Sequence, residues 1–299
     1  MKAAPFAYSR PDSIDEACTL LAADDSARVI AGGQTLVPMM AMRLARPTRL
    51  VDIARIAELS YVREEKDAVA IGACTRQCVV ERDTMVAKRL PLLTRAMPFI
   101  GHAATRARGT IGGSMAHADP AAELPLIAVT LDATLSYRQV DKNRGKTSNI
   151  AARDFFTGLM ITALPHGACL TGVRFPVWHG EKIGVGFHEV NARRSDFAFV
   201  AAAAQVELDA GGKCKRIAIG VGAATDVPIR LESAEKQLTG GLLDEKTVAD
   251  AVRAALADIE PLHDLHASAE YRRRAAASLA ARAVADAKVE ALGGKARAH

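Results

Sequence analysis

The sequence is poor in cysteine and aromatic residues, and it has no long apolar run. Its five cysteines (Cys18, Cys74, Cys78, Cys169 and Cys214) form no C-x-x-C pair. An odd, scattered set argues against a disulfide framework or a structural zinc site, and leaves reduced thiols in a cytoplasmic protein as the expectation. Aromatics make up 4% of the chain, with a single Trp, while 49% of residues are hydrophobic. The core must therefore be built mostly from Ala, Val, Leu and Ile. The opening MKAAPFAYSRP lacks an apolar signal core. The longest apolar run, around Phe197–Val206, is roughly half of a membrane span, so no transmembrane segment is expected. G-x-S-x-G and Walker A motifs are missing, and no nucleophile–base set stands out, so no catalytic residue is assigned.

Charge is modest, at +5 overall. From Tyr271 onward seven Lys and Arg face only Asp286 and Glu290, so the whole excess sits in one tail. No aromatics interleave it, which argues against nucleic acid and for a solvated basic helix or one facing an acidic partner.

The 299 residues suffice for two domains or one large body with sub-domains. FAYSRPDSIDEACTLLA reads as an extended entry and a helix capped by Asp12 or Ser13, with Ile14, Ala17, Leu20 and Leu21 on one face. ARVIAGGQTL reads as a strand running into a glycine turn, and Leu50–Ile53 and DAVAIGACT as further strands. VAKRLPLLTRAMPFIG is a helical region broken at Pro91 and Pro98. Strands are expected around Ala133–Tyr137 and in CLTGVRFP, followed by a hinge-like VWHGEKIGVGF. Two β-rich runs, FAFVAAAAQVELD and KRIAIGVGAATDVPIR, precede alanine-rich helices. Strands and helices in this uneven order point to an α+β fold.

Two stretches carry the chemistry: AGGQTL (Ala31–Leu36) and GTIGGS (Gly109–Ser114). Consecutive glycines allow a sharp turn, and successive bare N–H groups form an anion nest; Gln34, Thr35, Thr110 and Ser114 add side-chain partners. Two such nests suit the diphosphate of a dinucleotide. The bland alternative is a pair of ordinary turns. GVGAAT (Gly220–Thr225) starts like G-x-G-x-x-G but lacks the third glycine. His117 and Asp119, two apart, read more readily as local turn residues than as an acid–base pair. His263 and His266 lack the further ligands a metal needs, so no metal site is assigned. Asp52 follows its glycine turn as a ribose-binding carboxylate does in a Rossmann site, but a turn-capping role is favoured.

AGGQTLVPMMAMRLARPTRLVDI and ATRARGTIGGSMAHADPAAELP resemble the two FAD-binding stretches of the medium, flavin-carrying subunit of molybdenum hydroxylases, relatives of carbon monoxide dehydrogenase and xanthine dehydrogenase. The likeness continues through GLM after ARDFF, CLTGVRFP, RRSDFAFVAAA and AEYRRRAA. It implies a vanillyl-alcohol-oxidase (PCMH) type FAD fold: two αβ sub-domains, residues 1–56 and 57–176, then a domain over 177–299 with a three-stranded antiparallel sheet and helices. It implies that Ala31, Gly32, Gly33, Gln34, Thr35 and Leu36 wrap the diphosphate and the adjoining ribityl region. Thr110, Ile111, Gly112, Gly113 and Ser114 would supply the second nest, and Glu123 the acidic position near ribose hydroxyls. Ile100, Gly101, Thr105, Gly109, Ala116 and Leu170 match positions lining the cofactor.

Three departures stand out. Gln34 replaces a His found in some relatives, so FAD is expected to be non-covalent. Ser114 replaces a frequent Asn. His188 and Glu189 fall where relatives commonly place a Lys near the flavin. The resemblance implies molybdopterin and [2Fe–2S] clusters only on partners, a large and a small subunit, in a dimer of heterotrimers. FAD would pass electrons from those clusters to an external acceptor. The alternatives are a stand-alone FAD-dependent oxidase or dehydrogenase of a small molecule, and a flavin-free scaffold.

Overall fold

The computed structural model describes residues 2–141, 144–193 and 195–294. The first layer is a parallel three-stranded sheet in which Arg49–Asp52 lies between Ala7–Ser9 and Arg28–Ile30. Helix Ile14–Ala22 packs on it. Ser13 Oγ caps this helix by accepting from the Glu16 amide at 3.2 Å, and the helix buries Ile14, Ala17, Cys18 and Leu21. Strand Arg28–Ile30 runs straight into the Ala31–Thr35 turn and the short helix Leu36–Ala41. Asp52 closes the neighbouring turn, accepting from the Ala54 amide at 2.9 Å and from Tyr8 Oη at 2.5 Å. Its carboxylate is spent on the fold, as the turn-capping reading expects.

The second layer is an antiparallel five-stranded sheet ordered Val62–Glu64, Ala68–Gly72, Cys169–Pro176, Thr134–Asp141 and Arg144–Ala151. Helices Thr84–Arg89 and Pro91–Ala96 and the 3-10 turn Met97–Phe99 lie between its strands in sequence. Pro91 occupies the first turn of a new helix, where its missing N–H costs nothing, so the expected break becomes a start. Helix Glu123–Thr130 is buried along its whole length.

The third layer is an antiparallel sheet of Ile183–Val190, Val200–Leu208, Cys214–Gly222 and the two-residue edge strand Ile229–Arg230. The sequence reading of three strands falls short by that edge strand. VWHGEKIGVGF, expected to be hinge-like, instead contributes to the full strand Ile183–Val190. The glycines that lower its strand propensity are required by packing: a Cβ on Gly184 would stand 2.0 Å from the Ala287 carbonyl oxygen, and one on Gly186 2.1 Å from that of Ala283. The helix Ala269–Ala291 lies directly on this strand.

Strand Val200–Leu208 is buried on both faces. Val200, Ala202, Ala204 and Val206 join the core under the long helix, and Ala201 and Ala203 join the core of the second layer. A chain with few aromatics thus brings two cores close through one alanine-rich strand. The basic tail is not wholly solvated. Arg272 is buried and donates to the Phe199 carbonyl, to the Ala223 carbonyl at 2.8 Å and to Asp264 Oδ2 at 2.6 Å. Asp264 also accepts from the amides of His266 and Ala267, and His266 stacks on Phe199, so this histidine segment is a structural turn. The end of the 177–299 assignment, including Lys295 and Arg297, lies outside the described residues.

Gly186→Ala tests the close approach. Overpacking against a helix backbone is expected to cost about 1–3 kcal/mol, read as a lower urea midpoint at unchanged slope. An unaltered midpoint would show that the helix does not press on the strand.

Candidate FAD site

The Ala31–Leu36 turn leaves its backbone open. Among the described residues, no acceptor takes the amides of Gly32, Gly33, Gln34 or Thr35. Gly33 has φ +68°, a conformation that favours glycine. Gln34 Nε2 donates back to the Gly32 carbonyl at 3.2 Å, holding its side chain over the turn. Thr35 is exposed and its hydroxyl makes no cap bond, although Leu36 begins a helix directly behind it. Four free donors in a row at the C-terminal end of a parallel strand make a site that attracts an anion.

GTIGGS differs. Gly109 and Thr110 are buried, and Ile111 opens the helix Ile111–His117 with Thr110 as its cap. The Ile111 amide donates to Thr75 O (3.1 Å), Gly112 to Ala73 O (2.9 Å), Gly113 to Thr110 Oγ1 (3.0 Å) and Ser114 to Thr110 O (3.2 Å). The expectation of a second bare nest is therefore corrected: the Ile111 and Gly112 amides tie the segment to Thr75 and Ala73, just after strand Ala68–Gly72, and those of Gly113 and Ser114 close on Thr110. Gly112 is glycine because a Cβ would stand 2.5 Å from that of Ala73. Gly113 and Ala116 are exposed on the outer face of this helix, and Ser114 is half-buried beside them.

The two motifs nevertheless meet. A Cβ on Gly32 would lie 2.4 Å from the Arg108 carbonyl oxygen and 2.9 Å from Gly109 Cα. The open turn therefore abuts the segment that leads into GTIGGS. Gly109 in turn sits against Gln77, whose Oε1 is buried and has no partner among the described residues. The bare amides of Gly32 to Thr35 fit an anionic group such as a diphosphate, and the backbone of Gly109 separates them from the buried, unpartnered Gln77 Oε1. Gln77 escaped the sequence reading because nothing near it in the chain marks it.

The remaining candidates lie on the loop and helix over residues 100–108, on strand Cys169–Pro176 and at the start of helix Glu123–Thr130. Arg106 donates to the carbonyls of Ile100 (3.1 Å) and Gly101 (2.9 Å) and pairs with both oxygens of Glu81 at 2.9 Å, clamping this loop; the sequence reading missed the clamp. A Cβ on Gly101 would touch Thr105, whose carbonyl accepts from the Gly109 amide at 2.7 Å. Leu170 is buried in the adjoining strand, and the next residue, Thr171, accepts from the Ala73 amide at 3.0 Å, one link from Gly112. Glu123 is buried at the start of its helix. Burial pushes its carboxyl up to about 7, with the Asp119 charge adding to the rise and Arg106 opposing it.

Asp119 Oδ1 accepts from the Ala121 amide at 2.9 Å after Ala118 turns the chain through a left-handed conformation at φ 51°. It behaves as a turn residue. His188 Nε2 lies 2.9 Å from Asp286 Oδ2 on the long helix, so its ring faces that helix, and Glu189 projects from the opposite face of the strand. Burial pushes the thiols of Cys18 and Cys214 up to about 11 and that of Cys74 up to about 12; Cys169 is raised further. These four buried thiols are poor nucleophiles.

Known proteins match the chain along most of its length. Residues 4–178 match the FAD binding domain in molybdopterin dehydrogenase, and residues 186–287 match the CO dehydrogenase flavoprotein C-terminal domain. The chain is 36% identical to the alpha subunit of the 6-hydroxypseudooxynicotine dehydrogenase complex of Paenarthrobacter nicotinovorans, over 96% of each chain. It is 36% identical to the carbon monoxide dehydrogenase medium chain of Afipia carboxidovorans, over 96% of this chain and 98% of that one. The crystal structure of quinoline 2-oxidoreductase from Pseudomonas putida 86 superposes with a TM-score of 0.91 at 34% identity, covering 98% of this chain and 100% of that one. An open glycine turn seated on a second glycine segment, in a chain that matches across both domains, places this protein in the family of FAD-binding subunits of molybdopterin dehydrogenases.

Proposed function

We propose that the chain is the FAD-carrying medium subunit of a molybdenum hydroxylase or dehydrogenase, built as a dimer of heterotrimers with a large molybdopterin subunit and a small [2Fe–2S] subunit. The observation that carries this reading is the run of unpartnered amides from Gly32 to Thr35, closed on one side by Arg108 and Gly109. In the reading, residues 1–56 and 57–176 are the two αβ sub-domains of a vanillyl-alcohol-oxidase type fold, and 177–299 is the C-terminal domain.

Bound FAD supplies two-electron and one-electron chemistry and so links single-electron centres to a two-electron acceptor. The chain's own residues do the holding. The amides of Ala31 to Leu36 take the diphosphate oxygens, aided by the Gln34 and Thr35 side chains. Thr110, Ile111, Gly112, Gly113, Ser114 and Ala116 form a side-chain-poor wall along the ligand, and Gln77 Oε1 offers an acceptor. Ile100, Gly101, Thr105, Gly109 and Leu170 line the cleft, and Glu123 accepts from hydroxyl groups. Among the described residues no group of three His, Cys, Asp or Glu is arranged to hold a metal. No helix of the described residues is long and apolar enough to cross a membrane, and the five cysteines are free, in keeping with a cytoplasmic setting.

Gln34 cannot bond covalently to flavin, so acid denaturation is expected to leave the yellow colour in the supernatant; a yellow pellet would contradict non-covalent binding. Affinity purification of the tagged chain from its native cells should bring down one chain with iron–sulfur centres and one with molybdopterin. The isolated chain should turn over no small-molecule donor. Substrate turnover by the isolated flavoprotein would instead establish the stand-alone oxidase.

A further inference from the structure

The residues that follow strand Ala68–Gly72 run antiparallel to GTIGGS. The Gln77 amide donates to the Gly109 carbonyl at 2.9 Å and the Ile111 amide to the Thr75 carbonyl at 3.1 Å, so Arg76 and Thr110 stand opposite each other. Opposed residues in such a pair share a face and bring their side chains close. Arg76 is therefore set on the face from which Thr110 Oγ1 caps the Gly113 amide. Its side chain is half-buried, and Nη1 donates to the Arg108 carbonyl. That oxygen is the one against which Gly32 packs, with no room for a Cβ. A single backbone oxygen thus has two neighbours: the Arg76 guanidinium and Gly32, where the run of unpartnered amides begins.

Charge sets Arg76 apart from its neighbours. AGGQTL holds no charged residue, so the turn attracts an anion through the partial charges of its amides alone. Arg106 is spent on both oxygens of Glu81 and on the carbonyls of Ile100 and Gly101. Asp52, at the end of the strand beside Arg28–Ile30, accepts from Tyr8 Oη and from the Ala54 amide. Arg76 pairs with no carboxylate among the described residues; its one printed acceptor is a neutral carbonyl. A guanidinium carries several N–H donors in a fixed fork, so most of its donors remain for a ligand. Such a fork matches phosphate oxygens, and a charge-assisted bond there is stronger than one from a neutral amide.

Resting on the FAD assignment above, we propose that Arg76 is a diphosphate-binding residue, whose guanidinium gives the anion at Gly32 to Thr35 the full positive charge that the turn lacks. The Arg108 carbonyl holds the guanidinium at the seam between the two glycine motifs, and the remaining N–H groups serve the phosphate oxygens. The group that Arg76 recognises is the diphosphate, so the flavin ring and the adenine gain nothing from it. Because a full charge is screened by salt more than backbone dipoles are, this residue also makes binding depend on ionic strength. Arg76 escaped the sequence reading because it belongs to neither glycine motif and stands 32 residues before Arg108.

The test measures binding to the flavin-stripped full-length chain by the change in flavin fluorescence, with FAD and with riboflavin, which has no diphosphate. Arg76→Gln removes the charge and keeps an N–H donor for the Arg108 carbonyl. Its FAD dissociation constant should rise about tenfold or more, while that for riboflavin stays within about twofold. Arg76→Lys restores the charge and should recover part of the loss. Added salt should weaken FAD binding more in the wild type than in Arg76→Gln. Unchanged FAD affinity in Arg76→Gln, an equal loss for riboflavin or an equal salt dependence overturns the proposal, because a mere strut for the Arg108 carbonyl would give one of these. A second reading needs no variant: inorganic pyrophosphate, titrated into the wild-type chain, should shift the Arg76 Nε–H resonance together with the amide resonances of Gly32 to Thr35. Amide shifts without a response from Arg76 overturn the proposal. Failure of the wild type to bind FAD contradicts the FAD assignment, and the pyrophosphate titration then still decides whether Arg76 serves an anion at this turn.

Discussion

A single backbone contact organises the site: Gly32 against the Arg108 carbonyl and Gly109. Any side chain at Gly32 would enter that carbonyl, so the first parallel sheet and the antiparallel second layer can meet at this spacing only through bare backbone. The contact fixes where the open turn points. Because Ile111 to Ser114 are tied to Ala73, Thr75 and Thr110, the surface against which the turn rests is rigid. The two glycine motifs thus divide the work, one leaving donors free and the other spending them on position. A site with both runs open would have to order more backbone on binding.

The second organising feature is the pair of alanine- and glycine-bearing strands between the two cores. Ile183–Val190 and Val200–Leu208 have little side-chain bulk, and both the long C-terminal helix and the FAD-binding layers come close to them. Arg272 adds a buried strut, joining the helix to the carbonyls of Phe199 and Ala223 at the end of the same sheet that carries Glu189. The C-terminal sheet therefore shares its inner face with the core of the second layer, through Val185, Phe187, Ala201 and Ala203.

Much of this was legible in the sequence because it is local. The Ser13 cap, the strand before AGGQTL, the Pro91 break and the turn role of Asp52 all follow from residues within a few positions of one another. What escaped depends on distant partners. Whether the GTIGGS amides are free is decided by Ala73 and Thr75, and nothing in GTIGGS itself reveals that they are taken. The glycines of VWHGEKIGVGF suggested a hinge, because the helix that requires them lies about a hundred residues later in the chain. Arg272 looked solvated because its acceptors come from elsewhere in the fold.

In the proposed site the amides of Gly32 to Thr35 are open to an anion, whereas those of Ile111 to Ser114 are already taken. Amide hydrogen exchange, read residue by residue with and without FAD, distinguishes the two runs. Without cofactor, Gly32 to Thr35 should exchange quickly and Ile111 to Ser114 slowly, and FAD should slow the first group strongly while changing the second little. Fast exchange at Ile111 to Ser114 that FAD suppresses, with Gly32 to Thr35 indifferent to it, would contradict the account.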